Sequence, residues 1–215
     1  MPELNTKQKI LATSVQLFNQ FGLANVRLQQ IATEVGISPG NLAYHFRNKE
    51  AIIEAVYLDL FEELREILAT YRVFPNMIDF DYQMNKYFVF IQKYPFYFID
   101  IQEISRQFPE IDLQRGQLTV KMVNQIRKRF DFKKQRGMMV EEPLPGIYEY
   151  LAKSVWCLIS SEAHRQMTNS STDWEQENNF KKMIWYLLFP YFTKEGLEEF
   201  KQLIVPSLEH PSSRV

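Results

Sequence analysis

The sequence predicts an all-α protein, and three observations carry that expectation. Glycine is scarce, 7 in 215 residues, and few two-residue turns separate the apolar runs, which is poor material for a many-stranded fold. Apolar residues recur at three- and four-residue spacing along most of the chain. Asparagine, serine or threonine stands where these patterns begin, and glycine or proline where they stop. The expected organisation is a three-helix unit over 1–48, a helical bundle over 49–206 and a flexible tail over 207–215.

Over 5–21, Ile10, Leu17 and Phe21 share a face, with Leu11, Val15 and Phe18 on an adjacent strip. Asn5 caps this helix, and Gln8 three residues later completes a capping box. Gly22 ends it by supplying a left-handed position. A short helix follows over 28–35, with Leu28, Ile31, Ala32 and Val35 inward and Gly36 closing it. Ser38 caps a third helix. Pro39 suits its first position, where a backbone N–H would lack an intrahelical partner, and the helix runs to His45. Asn48 caps a fourth, with Glu50 in its first turn. It is expected to reach Arg72, stopped by Phe74-Pro75, and so to span roughly 35 Å at ~1.5 Å per residue.

The helical pattern continues beyond. Met84, Tyr87, Phe88 and Ile91 mark one helix; Tyr97, Ile101, Ile104 and Phe108 mark the next, opened by Pro95; a longer one covers 110–135. The stretch 137–146 reads as a loop. Residues 147–167 form a helix through Tyr148, Leu151, Val155, Leu158 and Ile159. Thr172 and Glu175 form a second capping box before a helix over 174–192, and a last helix over 194–204 ends at Pro206.

Net charge is -1, so any partnership with nucleic acid must rest on local features. Residues 1–50 lean slightly basic, with Lys7, Lys9, Arg27, Arg47 and Lys49 against Glu3, Glu34 and Glu50. The one cysteine, Cys157, excludes an internal disulfide and reads as a small buried hydrophobe. No apolar run reaches the ~18–20 residues of a membrane span, and the first residues lack a signal-peptide core, so a cytoplasmic protein without membrane association is expected. Enzyme chemistry finds little support. His45, His164 and His210 lie far apart without metal-ligand spacing, and neither a phosphate-binding glycine loop nor a nucleophile motif is present. No cofactor and no metal are called for.

Three short helices in about 40 residues, with a tight glycine turn between the second and third, describe a helix-turn-helix. In that motif the second helix braces across the phosphate backbone while the third presents its N-terminal side chains to base edges in the major groove of duplex DNA. The third helix here suits the task. Pro39, Asn41 and Tyr44 fall on its outer side, with Ala43 nearby, while Leu42 and Phe46 point inward. Gly40 permits close backbone approach, the Asn41 amide matches an adenine edge, and Tyr44 can donate to a phosphate or stack on a sugar. Lys49, opening the next helix, brings an ammonium beside free N–H groups.

The run Ile31-Ala32-Thr33-Glu34-Val35-Gly36-Ile37-Ser38-Pro39-Gly40-Asn41-Leu42-Ala43-Tyr44-His45-Phe46-Arg47-Asn48-Lys49-Glu50, led by Phe18, Phe21 and Gly22, resembles the signature of the TetR family of transcriptional regulators. The resemblance covers about residues 6–53. It implies DNA contacts from Arg27, Ser38, Pro39, Gly40, Asn41, Tyr44, His45 and Lys49. Two positions depart from the family pattern. Arg27 stands where the family usually has a capping serine or threonine, leaving Asn25 as the alternative cap. Ala43 stands where the family often has tyrosine, with Tyr44 as its stand-in. His45 reads equally as a core histidine beside Phe46 or as a phosphate contact.

Elsewhere the residues allow plainer readings beside functional ones. The resemblance suggests an effector cavity lined by Tyr87, Ile91, Phe98, Ile101, Phe108 and Trp156, although aromatic residues at helical spacing are more often core. The basic run Arg127-Lys128-Arg129 with Lys133, Lys134 and Arg136 reads as a solvated helix face rather than a second DNA patch. The helix over 174–192 carries Trp185, Tyr186 and Phe189 beside its main stripe, so it must be covered on more than one side. The resemblance implies homodimerisation through this helix and 147–167, with Leu151, Val155, Ile184, Trp185 and Leu188 at the interface. The expected function is a ligand-responsive repressor. It binds a palindromic double-stranded DNA operator as a homodimer and answers to an apolar or aromatic small molecule. The competing expectation is a DNA-bound adaptor that recruits a protein partner and has no small-molecule effector.

Overall fold

A computed structural model describes residues 5–71, 76–168 and 173–209. Twelve α-helices occupy the described residues: α1 (Thr6–Phe21), α2 (Leu28–Val35), α3 (Pro39–His45), α4 (Lys49–Ala69), α5 (Met77–Lys93), α6 (Pro95–Ile99), α7 (Ile101–Gln107), α8 (Pro109–Gln135), α9 (Ile147–Thr168), α10 (Asp173–Leu188), α11 (Lys194–Leu203) and α12 (Val205–Glu209). A 3-10 turn, Phe189–Tyr191, follows α10. The one extended pairing among the described residues is an isolated bridge between Met139 and Phe192.

Two compact units divide the chain. The first takes residues 1–65 and 94–116, the second 66–93 and 117–215. The expected boundary at 48/49 therefore falls inside the first unit. The reason is packing. Phe96 meets Phe18 of α1 and Tyr57 of α4 edge-on, with ring centroids 5.7 and 5.9 Å apart. All three rings are buried. Edge-on aromatic pairs contribute about 0.5–1.5 kcal/mol each beyond the area they bury, which ties the 94–116 segment to α1 and α4.

Within the first unit the expected capping box holds. Asn5 accepts from the Gln8 N–H while the Gln8 side chain accepts from the Asn5 N–H. Gly22 ends α1 at φ 78°, ψ 155°. The expected single helix from Pro95 to Phe108 is broken at Asp100, between α6 and α7. The Asp100 carboxylate is drawn to α1's exit instead, where it accepts the Leu23 N–H at 2.8 Å.

The second unit centres on α5, α9 and α10, with Met84, Phe88, Val155, Ile159, Phe180 and Ile184 among its fully enclosed side chains. A buried polar knot holds α5 to α10: the Asp81 carboxylate takes Lys181 Nζ at 2.6 Å and Trp185 Nε1 at 2.9 Å. Helix α4 ends at Ala69, three residues short of the expected Arg72. Its last carbonyls find side-chain donors, Gln83 on Ile67 and Gln125 on Leu68, both at 3.0 Å. Such bonds satisfy groups that a helix end otherwise leaves open. The expected stop at Phe74-Pro75 and the cap at Thr172 lie outside the described residues.

The chain does not become a free tail at Pro206. Helix α12 carries it to Glu209, with Leu208 buried and its carbonyl bonded by the Asn178 side chain. Proline is at home in a first helical turn, so Pro206 starts this helix rather than ending one. Helix α11 lies close against the loop after α8. A Cβ placed on Gly196 would come within 2.0 Å of the Met138 carbonyl oxygen.

Candidate nucleic-acid interface

Helix α3 is built by local chemistry. Ser38 accepts the Asn41 N–H at 3.1 Å, and Pro39 occupies the first turn. Gly36 adopts a left-handed conformation, φ 78°, ψ 33°, where a side chain would be strained, and so turns the chain tightly from α2 into α3. Leu42 and Phe46 anchor the inner side, while Ile31 and Ala32 of α2 are buried beneath. What remains outside is Pro39, Gly40, Asn41, Ala43 and Tyr44. Tyr44 is 86% exposed, an extreme value for an aromatic ring, and it meets the neighbouring His45 edge-on at 5.2 Å. His45 itself is half-buried.

The flanking candidates vary in freedom. Arg27 is exposed at the N-cap of α2 and makes no capping bond. Asn25 does not replace it. Its amide donates backward to the Phe21 carbonyl at 2.8 Å, sealing α1 rather than opening α2. Lys49 is half-buried, and its ammonium donates to the Ala24 carbonyl at 3.3 Å. Desolvation lowers its pKa, opposed by Glu50 and Glu103. Asn48 caps α4 through Ala51 N–H at 2.9 Å. Three exposed residues beside this surface were not among the expected DNA contacts: Gln29 and Thr33, one turn apart on α2, and Arg47 just past α3. Helical phase opposite Ile31 and Ala32 is the signal that would have found the first two.

The other expected sites fare differently. Tyr87, Ile91 and Trp156 belong to the second unit, and Phe98, Ile101 and Phe108 to the first. Tyr87 and Trp156 do meet, edge-on at 6.0 Å. Leu151, Val155, Ile184, Trp185 and Leu188 are buried within a single chain and are core, not surface. Among the described residues, α10 and the turn after it expose Tyr186 and Phe189, and α9 exposes Tyr150. Cys157 is exposed rather than buried. The basic run is divided, with Lys128 and Arg136 exposed to solvent as expected and the others not. Arg129 and Lys133 are buried, Arg127 pairs with Asp131 and Glu142, and Lys134 pairs with Glu141.

A short solvent-facing helix, held by a cap and a glycine turn on a brace helix, defines a DNA-binding transcriptional regulator of the helix-turn-helix class. The chain belongs to the TetR family. The profile described as bacterial regulatory proteins, tetR family, matches residues 10–56, and that of a bacterial transcriptional repressor, TetR, matches 60–200. Among relatives, the HTH-type transcriptional regulator RutR of Escherichia coli K12 is 44% identical over 62 residues, 29% of this chain and 26% of RutR. The chain thus matches about a quarter of that relative's length. Among solved structures, a TetR-family transcriptional regulator from Marinobacter aquaeolei VT8 superposes with a TM-score of 0.81 at 24% identity, covering 93% of this chain and 97% of that one. SmeT, solved as a complex with triclosan, superposes with a TM-score of 0.55 at 17% identity, covering 88% and 92%. No described helix is long and apolar enough to cross a membrane.

Proposed function

We propose that this regulator is a ligand-responsive repressor that grips a palindromic operator as a homodimer. The observation that carries the DNA reading is the outer side of α3, where Asn41 and Tyr44 stand exposed above a buried Leu42–Phe46 anchor. One such helix per subunit would read half-sites about 34–36 Å apart, one helical turn of DNA. Arg27, Ser38, Gly40, His45 and Lys49 flank it as backbone contacts, joined by Gln29, Thr33 and Arg47. Replacing Asn41 and Tyr44 together with alanine should abolish gel-shift binding to fragments selected from genomic DNA, with the dimer intact by sedimentation. Undiminished binding by that variant defeats the assignment.

The second copy is assigned to the outer faces of α9 and α10. Tyr150, Ser154, Cys157 and Ser161 line one side of α9, and Tyr186 projects from α10 with Met183 and Leu187 half-exposed beside it. A twofold axis would set two such faces together as a four-helix contact.

Ligand response is supported by a cavity in the second unit and by a neighbour solved with a small molecule, SmeT with triclosan. The adaptor reading calls for a filled core instead. Helices α4 and α8 each run from one unit into the other, and a ligand that favours one tilt of α4 would alter the separation of the two reading helices. A hundredfold loss of DNA affinity needs about 2.7 kcal/mol of differential binding, within the ordinary range of coupling energies.

A further inference from the structure

We propose that the cleft beside Arg129 holds the carboxylate of an effector whose remaining body is small and apolar or aromatic. This rests on the ligand-responsive reading above and gives that ligand a chemical class.

Arg129 sits on α8 and is 3% exposed. Its guanidinium lies over the rings of Tyr71, at 4.6 Å, and Phe80, at 5.3 Å. Nη1 reaches the Gln125 carbonyl at 3.5 Å, the outer limit of a hydrogen bond. Nε and Nη2 are buried with no hydrogen-bond partner among the described residues. Burial pulls the guanidinium down to about 10, with Tyr71, Tyr87 and Asp79 pulling the other way from a distance. Removing a cation from water and leaving two of its donors unmet is costly, and native interiors rarely leave such groups open.

The rest of the second unit shows how its buried charges are normally met. Lys181 has Asp81, and Lys133, which lines the same cleft as Arg129, has Glu199 at 2.7 Å. Arg165 is the closest parallel. Its Nε and Nη2 hold the two oxygens of the buried Glu162 at 2.8 and 3.0 Å. That edge of a guanidinium is a fork that fits a carboxylate with two parallel bonds. On Arg129 the same edge meets no acceptor among the described residues.

The surroundings suit the other end of such a ligand. Phe80, Phe130, Trp185 and Phe192 line the cleft with Arg129 and Lys133, and the lining is mostly apolar. The cleft opens to solvent and holds about 320 Å³ of empty space counting its mouth. A small ring or short chain fits the mouth, and seating a carboxylate on the buried Arg129 edge requires the cleft to widen beside it. An apolar wall with one buried, unpaired cation discriminates sharply, because a neutral isostere would leave the same donors unmet.

The test uses the full-length protein, titrated calorimetrically with benzoate and hexanoate and, in parallel, with benzamide and hexanamide. At least one carboxylate should bind at least tenfold more tightly than its amide, and it should weaken the complex with operator DNA. Arg129→Lys, which keeps the charge but loses the fork, should lose at least tenfold in carboxylate affinity. Arg129→Met should lose it entirely while unfolding in urea no more readily than the parent, because it removes an unpaired buried cation. Should either variant fail to fold, the Arg129 Nε–H resonance of the parent protein must shift on adding the carboxylate. Equal binding of acid and amide, unchanged carboxylate affinity in Arg129→Lys, or an unmoved Nε–H signal overturns the proposal. If neutral aromatic compounds bind and release DNA while carboxylates do not, the assignment of the cleft falls and the ligand-responsive reading stands. If no small molecule alters DNA binding, both fall.

Discussion

The Asp100 carboxylate accepts the backbone N–H of Leu23 at 2.8 Å, across 77 residues of sequence. This bond fastens the exit of α1 to the junction of α6 and α7, all within the unit that carries the reading helix. Replacing Asp100 with alanine leaves the Leu23 N–H without its acceptor and should cost about 1–3 kcal/mol, read from urea unfolding. The substitution Asp100→Asn keeps an acceptor oxygen and should cost less.

The same residue predicts a pH dependence. Burial raises the Asp100 carboxyl above its ordinary value, with the Leu23 N–H bond opposing and Glu103 adding to the rise. A carboxyl raised on folding binds its proton more tightly in the native state, so its contribution is fully present below the unfolded value and is lost as pH rises through the folded one. Stability of the parent relative to Asp100→Asn should therefore fall as pH climbs through and just above the carboxylate range. A difference that is flat between about pH 3 and 7 counts against this account.

Gly22 sits beside that bond in a conformation, φ 78°, ψ 155°, open essentially to glycine alone. Gly22→Ala should destabilise by about 1–3 kcal/mol, measured by thermal or urea unfolding. The added methyl itself would find room, 3.5 Å from the Asp100 carboxylate, so backbone strain and not collision sets the cost.

Asp81 is the acceptor for two buried donors, Lys181 and Trp185. Asp81→Ala strands a buried ammonium and an indole N–H, and should cost about 3–5 kcal/mol. A paired change, Asp81→Leu with Lys181→Met, removes both charges and should recover much of that loss. Recovery in the double variant separates the unpaired charge from simple loss of packing.

If α9 and α10 form the contact between subunits, Tyr186→Glu should yield monomers at concentrations where the parent sediments as a dimer. It should also weaken operator binding, because one reading helix gains little without the other. The residue is exposed in a single chain, so its fold should be unaffected.

The parts that were legible in sequence are those set by near neighbours. The capping box at Asn5, the Ser38 cap and the Gly36 turn are all chemistry within four residues, and each stands where expected. The break at Asp100 was not legible because its cause, the Leu23 N–H, is remote in the chain. The residues expected at the subunit interface proved to be buried within one chain, for a different reason. Leu151, Val155 and Ile184 have the composition of an interface, and a core has the same composition. Arg129 and Lys133 were hidden inside a run of charges. The signal was there in their phase, since they repeat the spacing of the buried Met122, Ile126 and Phe130 on α8.

The near-zero clearance at Gly196 reaches further than helix α11. The backbone it touches, Met138, is held there by the Thr193 N–H, and the next residue, Met139, forms part of the wall around Arg129. Even a methyl group at position 196 must lift that segment from its seat and reshape the wall with it. If the chain answers to a small molecule in that cleft, variants with altered response are to be sought at a glycine that is not part of the cleft's lining.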